Sequence, residues 1–130
     1  MEIRHLSVAD VMALHIQMME DMGHHPAPLR DAGRLESAVL KPQMAAYYED
    51  ADLVRQAALL AVGISQAQAY VDGNKRTAYM ACLVFLRING RPYQGNYLAM
   101  AEQLEAVATR QDSLDEATRR FEQWLRENTR

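Results

Sequence analysis

A chain of 130 residues with an apolar share of 49% has the size and composition of one globular domain with a moderate core. Its net charge of -3 and pI near 5.8 exclude the broadly basic surface of a general nucleic-acid binder, so any anion site must be a local basic spot. The single cysteine, Cys82, excludes an internal disulfide and suits a reducing compartment.

The opening M-E-I-R-H-L-S lacks the charged-then-apolar pattern of a secretory signal. The longest apolar run, around residues 57–62, falls far short of the ~20 residues a membrane span needs. A soluble, cytoplasmic protein with no membrane association is expected. Ser7 has the chemistry of an N-cap, with Asp10 approximating a capping box. From there Val8, Val11, Met12, His15, Met18, Met19 and Met22 recur at helical spacing, and Gly23 closes the helix. On that face His15 reads as a satisfied, half-buried histidine. The methionines read as core filler, with a groove for a partner helix as the lesser alternative. His24-His25-Pro26-Ala27-Pro28 is a loop, because its prolines bar helix and central strand. Adjacent histidines without partner cysteines are poorly spaced for one metal site.

Asp31 is placed to cap a short second helix over residues 33–40, with Leu35, Ala38 and Val39 inward and Lys41-Pro42 as its stop. Residues 44–50 are less regular, and Tyr47-Tyr48 suits an extended segment. An Ala- and Leu-rich pattern over residues 53–69, apolar on most sides, predicts a central buried helix. After an Asp-Gly turn a helix is expected over residues 74–88, with Ala78, Ala81, Cys82, Phe85 and Ile88 on one face. Asn89-Gly90 and Pro92 end it. Two further amphipathic helices are expected over 98–108 and 114–127, the last burying Leu114, Ala117, Phe121, Trp124 and Leu125. Glu102, Glu105, Arg119 and Arg120 read as solvated helix faces. The chain is expected to be one all-α domain over residues 1–130, a compact bundle of about six helices.

One stretch carries chemistry. Val71-Asp72-Gly73-Asn74-Lys75-Arg76 runs straight into the helical pattern after it. Unpaired N–H groups at a helix start, reinforced by the helix dipole, favour anions. Gly73 would let a phosphate approach the backbone, Asp72 and Asn74 are good cap residues, and Lys75 and Arg76 supply cations. A carboxylate beside such a loop can hold Mg²⁺, which usually bridges to substrate phosphates.

Read from Gln68 to Arg76, Q-A-Y-V-D-G-N-K-R resembles the signature of the Fic/Doc family in its Doc ("death on curing") branch, roughly H-x-F-x-D-x-N-K-R. Tyr70 keeps the aromatic, and Lys75 is the Doc-branch residue where Fic enzymes carry a glycine. Tyr79 replaces a further Fic arginine, which removes one phosphate contact. L-R-D-A-G-R-L-E-S-A-V from Leu29, followed by Pro42-Gln43, and A-C-L-V-F-L-R-I-N-G from Ala81 are similar to two more blocks of Doc-type proteins. The likeness spans roughly residues 5–125.

The resemblance implies a Fic/Doc fold with a small flap hairpin over residues 44–50. It implies an ATP- and Mg²⁺-dependent transfer of a phosphoryl group to a hydroxyl of a translation elongation factor, by a toxin held in check by a cognate antitoxin. Asp72 would bind the metal. Gly73, Asn74, Lys75 and Arg76 would hold the phosphates, and Arg76 would also stabilise charge during transfer. Gln68 stands where the family has its catalytic histidine, and an amide cannot take a proton near neutral pH. Loss of a general base typically costs about 10²- to 10⁴-fold in rate. Three explanations stay open: a natural member that binds without catalysing, a different base, or a deliberate substitution. The second requires a nearby base, and His5, His15, His24 and His25 are remote in sequence. The alternatives to a kinase-like toxin are a non-catalytic nucleotide- or peptide-binding module and, third, a protein AMP transferase.

Overall fold

A computed structural model describes residues 2–130. Its six helices are α1 (Val8–Asp21), α2 (Ala32–Glu49), α3 (Leu53–Ala67), α4 (Asn74–Ile88), α5 (Tyr97–Ala108) and α6 (Leu114–Glu127). Among the described residues there is no named strand, only two isolated bridges, Leu29 with Tyr70 and Tyr93 with Thr129. The fold is all-α, as expected. No helix of the described residues is long and apolar enough to cross a membrane.

Local chemistry sets most of the boundaries. The Ser7 hydroxyl accepts from Asp10 N–H at 3.0 Å while the Asp10 carboxylate accepts from Ser7 N–H at 2.8 Å, a complete capping box. Asp31, Asp52, Asn96 and Ser113 cap α2, α3, α5 and α6, each side chain accepting the backbone N–H three residues on. The apolar α3 lies at the centre, packed against α2, α4, α5 and α6. Val54, Ala57, Leu60, Ala61 and Ile64 from α3 meet Leu35, Phe85, Leu86, Leu104 and Phe121 in one hydrophobic core.

Two expectations for α2 fail together. Lys41-Pro42 does not stop the helix, which runs 18 residues with Pro42 inside it. Residues 44–49 are therefore helical, with neither an extended Tyr47-Tyr48 segment nor a flap hairpin. An internal proline costs about 3 kcal/mol through its lost hydrogen bond and ring clash. Burying Leu35 and Val39 against α3 is worth roughly 1.5–3 kcal/mol each, and Ala38, Pro42 and Ala45 are buried beside them. Packing therefore outweighs the local breaker. The helix ends at Asp50, which takes the left-handed conformation at φ 54°.

Candidate functional site

The motif begins where α3 stops. Helical periodicity runs to residue 69, yet the helix ends at Ala67 because Gln68 turns left-handed at φ 51° and ψ 41°. A non-glycine residue in that region costs of order 1–3 kcal/mol unless its surroundings enforce it. Here they do. Arg30 donates to the Gln68 carbonyl at 2.9 Å and Arg34 to the Ala67 carbonyl at 3.4 Å. The Ala69 carbonyl accepts from Arg30 N–H at 2.7 Å and Asp31 N–H at 3.0 Å, and Pro28 accepts from Val71 N–H at 3.1 Å. The Leu29–Val39 block, singled out in sequence without a role, is thus the clamp on the motif turn.

Asn74 and Asp72 do not act as caps. The buried Asn74 side chain accepts from Tyr70 N–H at 3.0 Å and donates to the Tyr70 carbonyl at 2.8 Å and to Gln68 Oε1 at 3.4 Å. It shapes the turn, so its side chain is not offered to a ligand. Asp72 Oδ1 accepts only the adjacent Gly73 N–H, at 2.8 Å. Gly73 is the residue at the N-cap position, and it supplies no side chain. The first turn of α4 is consequently left with outward N–H groups for an anion. Gly73 is required for two reasons: its φ is 86°, and an added Cβ would meet Met18 Cε and Met19 Sδ at 3.1 Å and His15 Nε2 at 3.2 Å. The space a side chain would fill belongs to α1 rather than to a ligand.

His15 is buried completely, not half. Its ring stacks on Tyr70 with centroids 3.6 Å apart, and its Nε2–H donates to the Asp72 carbonyl at 3.1 Å. Burial pushes the Tyr70 hydroxyl above its ordinary pKa. Met18 and Met19 are core, as expected of methionine filler, whereas Met12 and Met22 are exposed.

The cations are held from α5. Lys75 Nζ meets Glu105 Oε2 at 2.6 Å, which corrects the reading of Glu105 as a merely solvated face. Both side chains are more than a third exposed, so the pair is worth at most about 1 kcal/mol. The Arg76 guanidinium lies 4.0 Å above the Tyr97 ring, and Tyr79 packs edge-on to Tyr97 with centroids 5.2 Å apart. Gln68, Asp72, Gly73, Asn74, Lys75 and Arg76 all line one cavity of about 430 Å³, together with Met18, Met22, His24 and Tyr97. The structure thus brings together every residue the motif nominates. Sequence reading missed His15, His24, Arg30, Arg34 and Glu105, which arrive through tertiary contacts. His15 carried a local signal, its place on the inward face of α1, and Arg30 and Arg34 lay in a block singled out without a role.

Among the described residues no cluster of three His, Cys, Asp or Glu side chains can hold a metal alone. Asp72 makes no ion pair there. A lone free carboxylate beside an anion cradle fits Mg²⁺, which binds through one or two carboxylates plus phosphate oxygens.

A helical bundle with this turn between its two central helices is matched by the sequence profile described as Fic/DOC family, over residues 5–86. The chain belongs to the Fic/Doc family, in its Doc branch. It is 43% identical over 91 residues to the protein named Toxin Doc of Mycolicibacterium smegmatis, a match covering 67% of this chain and 70% of that protein. It is 35% identical over 89 residues to the protein named Protein kinase doc of Escherichia phage P1, covering 68% and 70%.

Proposed function

We propose that the chain is the Doc-like toxin of a toxin–antitoxin pair, a cytoplasmic single-domain phosphotransferase acting on a hydroxyl of a translation elongation factor. One observation carries the reading: the uncapped first turn of α4, Lys75, Arg76 and an unpaired carboxylate at Asp72 share one cavity. The names of the two relatives support toxin and kinase.

In this reading the α4 N–H groups and Lys75 cradle the nucleotide phosphates, with Glu105 releasing Lys75 to them. Arg76, steadied on Tyr97, carries the charge that develops on the transferred phosphoryl group. Asp72 would hold Mg²⁺, which when bound neutralises charge on the phosphate oxygens. Gln68 leaves the reaction without the family's base, so transfer is attenuated. Partners are the protein substrate and an antitoxin; nucleic acid plays no direct part. A second reading, a nucleotide-binding module that does not catalyse, is favoured by the inward engagement of the Gln68 amide on Ser65 and Asn74. AMP transfer ranks third, because Tyr79 packs among aromatic rings and adds no cation.

The test is calorimetric titration of ATP with and without Mg²⁺ into the chain and its Asp72→Asn variant, beside induced expression of Gln68→His. Binding that needs Mg²⁺ and weakens about tenfold or more in Asp72→Asn, with growth arrest by Gln68→His, is expected. No nucleotide binding, together with unimpaired growth and no modified protein, would overturn the reading.

A further inference from the structure

Gln68 cannot serve as base, and its geometry reinforces the chemistry. Its Nε2 donates to the Ser65 carbonyl at 2.9 Å and its Oε1 accepts from Asn74 at 3.4 Å. Of the four histidines, His5 Nε2 donates to Gln56 Oε1 at 2.7 Å, and the buried His15 is committed to the Asp72 carbonyl. His25 does not line the cavity. His24 does, sharing that lining with Gln68, Asp72 and Arg76, and it is solvent-exposed.

The loop that carries His24 is anchored through its backbone on both sides. Gly23 turns at φ 78°, and His24 N–H donates to the Met19 carbonyl at 2.9 Å, which anchors the loop to α1. A few residues on, Pro28–Asp31 pair with the Ala69–Val71 backbone, which anchors it to the motif turn. The other ionisable lining groups are unsuited to the task. Lys75 and Arg76 are cations, Tyr97 lies under Arg76, and Asp72 is the metal-side carboxylate. Imidazole is the side chain that ordinarily accepts a proton near neutral pH.

We propose that His24 is the proton acceptor of phosphoryl transfer in this chain, taking over the task that Gln68 cannot perform; the proposal rests on the phosphotransferase reading above. The substrate hydroxyl oxygen bonds to the γ-phosphorus as the bond from that phosphorus to the β–γ bridging oxygen breaks. ADP leaves with the electron pair, and the hydroxyl proton passes to the His24 imidazole and then to solvent. The sequence separation of 44 residues between His24 and Gln68 hides their place in the lining of one cavity.

The experiment compares four proteins: the chain, His24→Ala, Gln68→His and the double variant. Each is incubated with γ-³²P-ATP, Mg²⁺ and a bacterial lysate, and its affinity for Mg-ATP is measured separately. The chain transfers label slowly. His24→Ala lowers the rate by about 10²-fold at unchanged ATP affinity, and added imidazole restores part of it. In the Gln68→His background, His24→Ala changes the rate little. Label transfer by His24→Ala at the rate of the chain would overturn the proposal. So would silence of the chain beside an active Gln68→His variant, which leaves the phosphotransferase reading standing. If no protein, Gln68→His included, binds ATP or transfers label, that reading falls and the role of His24 with it.

Discussion

At the scale of single residues, Gly73 shows how the motif depends on its surroundings. Its positive φ would strain any side chain by about 1–2 kcal/mol, and a methyl group would also press on Met18, Met19 and His15. Gly23 and Gly90 share a φ of 78° but have nothing within 4 Å of an added Cβ. Gly73→Ala should therefore lower the melting temperature by several degrees, and by clearly more than Gly23→Ala or Gly90→Ala; equal losses in thermal melts would remove the contribution of α1. Cys82 gives a second check. It is fully buried on α4, and burial pushes its thiol up to about 12. Since the thiolate is the reactive form, Cys82 should resist alkylation at pH 8 in the native protein and react on unfolding. Rapid labelling of the folded chain would contradict the packing of α4.

Among the helices, the ends of α3 and α6 are joined by charge. Asp52 caps α3 through Arg55 N–H at 2.9 Å and also binds Arg126 of α6 at 2.8 Å. The Arg126 hydrogen bond leads the effects that lower the Asp52 pKa below its ordinary 3.8. A depressed folded-state pKa contributes stability above the unfolded value and loses it as pH falls through the folded one. Melting temperature should thus drop between about pH 5 and pH 2. Asp52→Asn, which still caps, should be less stable at pH 7 and show a shallower acid decline. An unchanged slope would mean that other carboxylates dominate acid unfolding.

The helices most legible in sequence were those bounded by local chemistry. Residues 74–88 and 114–127 correspond residue for residue to α4 and α6: apolar spacing speaks in both, with the Gly73 turn starting α4 and the Ser113 cap starting α6. The course of α2 was not legible, since a proline signal was outweighed by burial against α3, and how those two helices dock is not written in either segment. The site divides the same way. The turn that carries Asp72 to Arg76 is contiguous and reads directly. The clamp from Arg30 and Arg34, the His15 stack, the Glu105 pair and the approach of His24 all depend on how α1, α2 and α5 dock.

For the molecule as a whole, docking is what makes one cavity out of a short motif. α1 floors the turn with methionines and His15, the α1–α2 loop pairs with it, and α5 steadies its two cations. The most direct measurement is label transfer by the Gln68→His variant, with γ-³²P-ATP and α-³²P-ATP in parallel, Mg²⁺ and a bacterial lysate. Label from the γ-position alone, on a discrete protein band and lost on Asp72→Asn, is the result expected of a kinase scaffold attenuated at one residue. Label from the α-position would instead make the protein an AMP transferase, and no label from either would contradict a transferase role altogether.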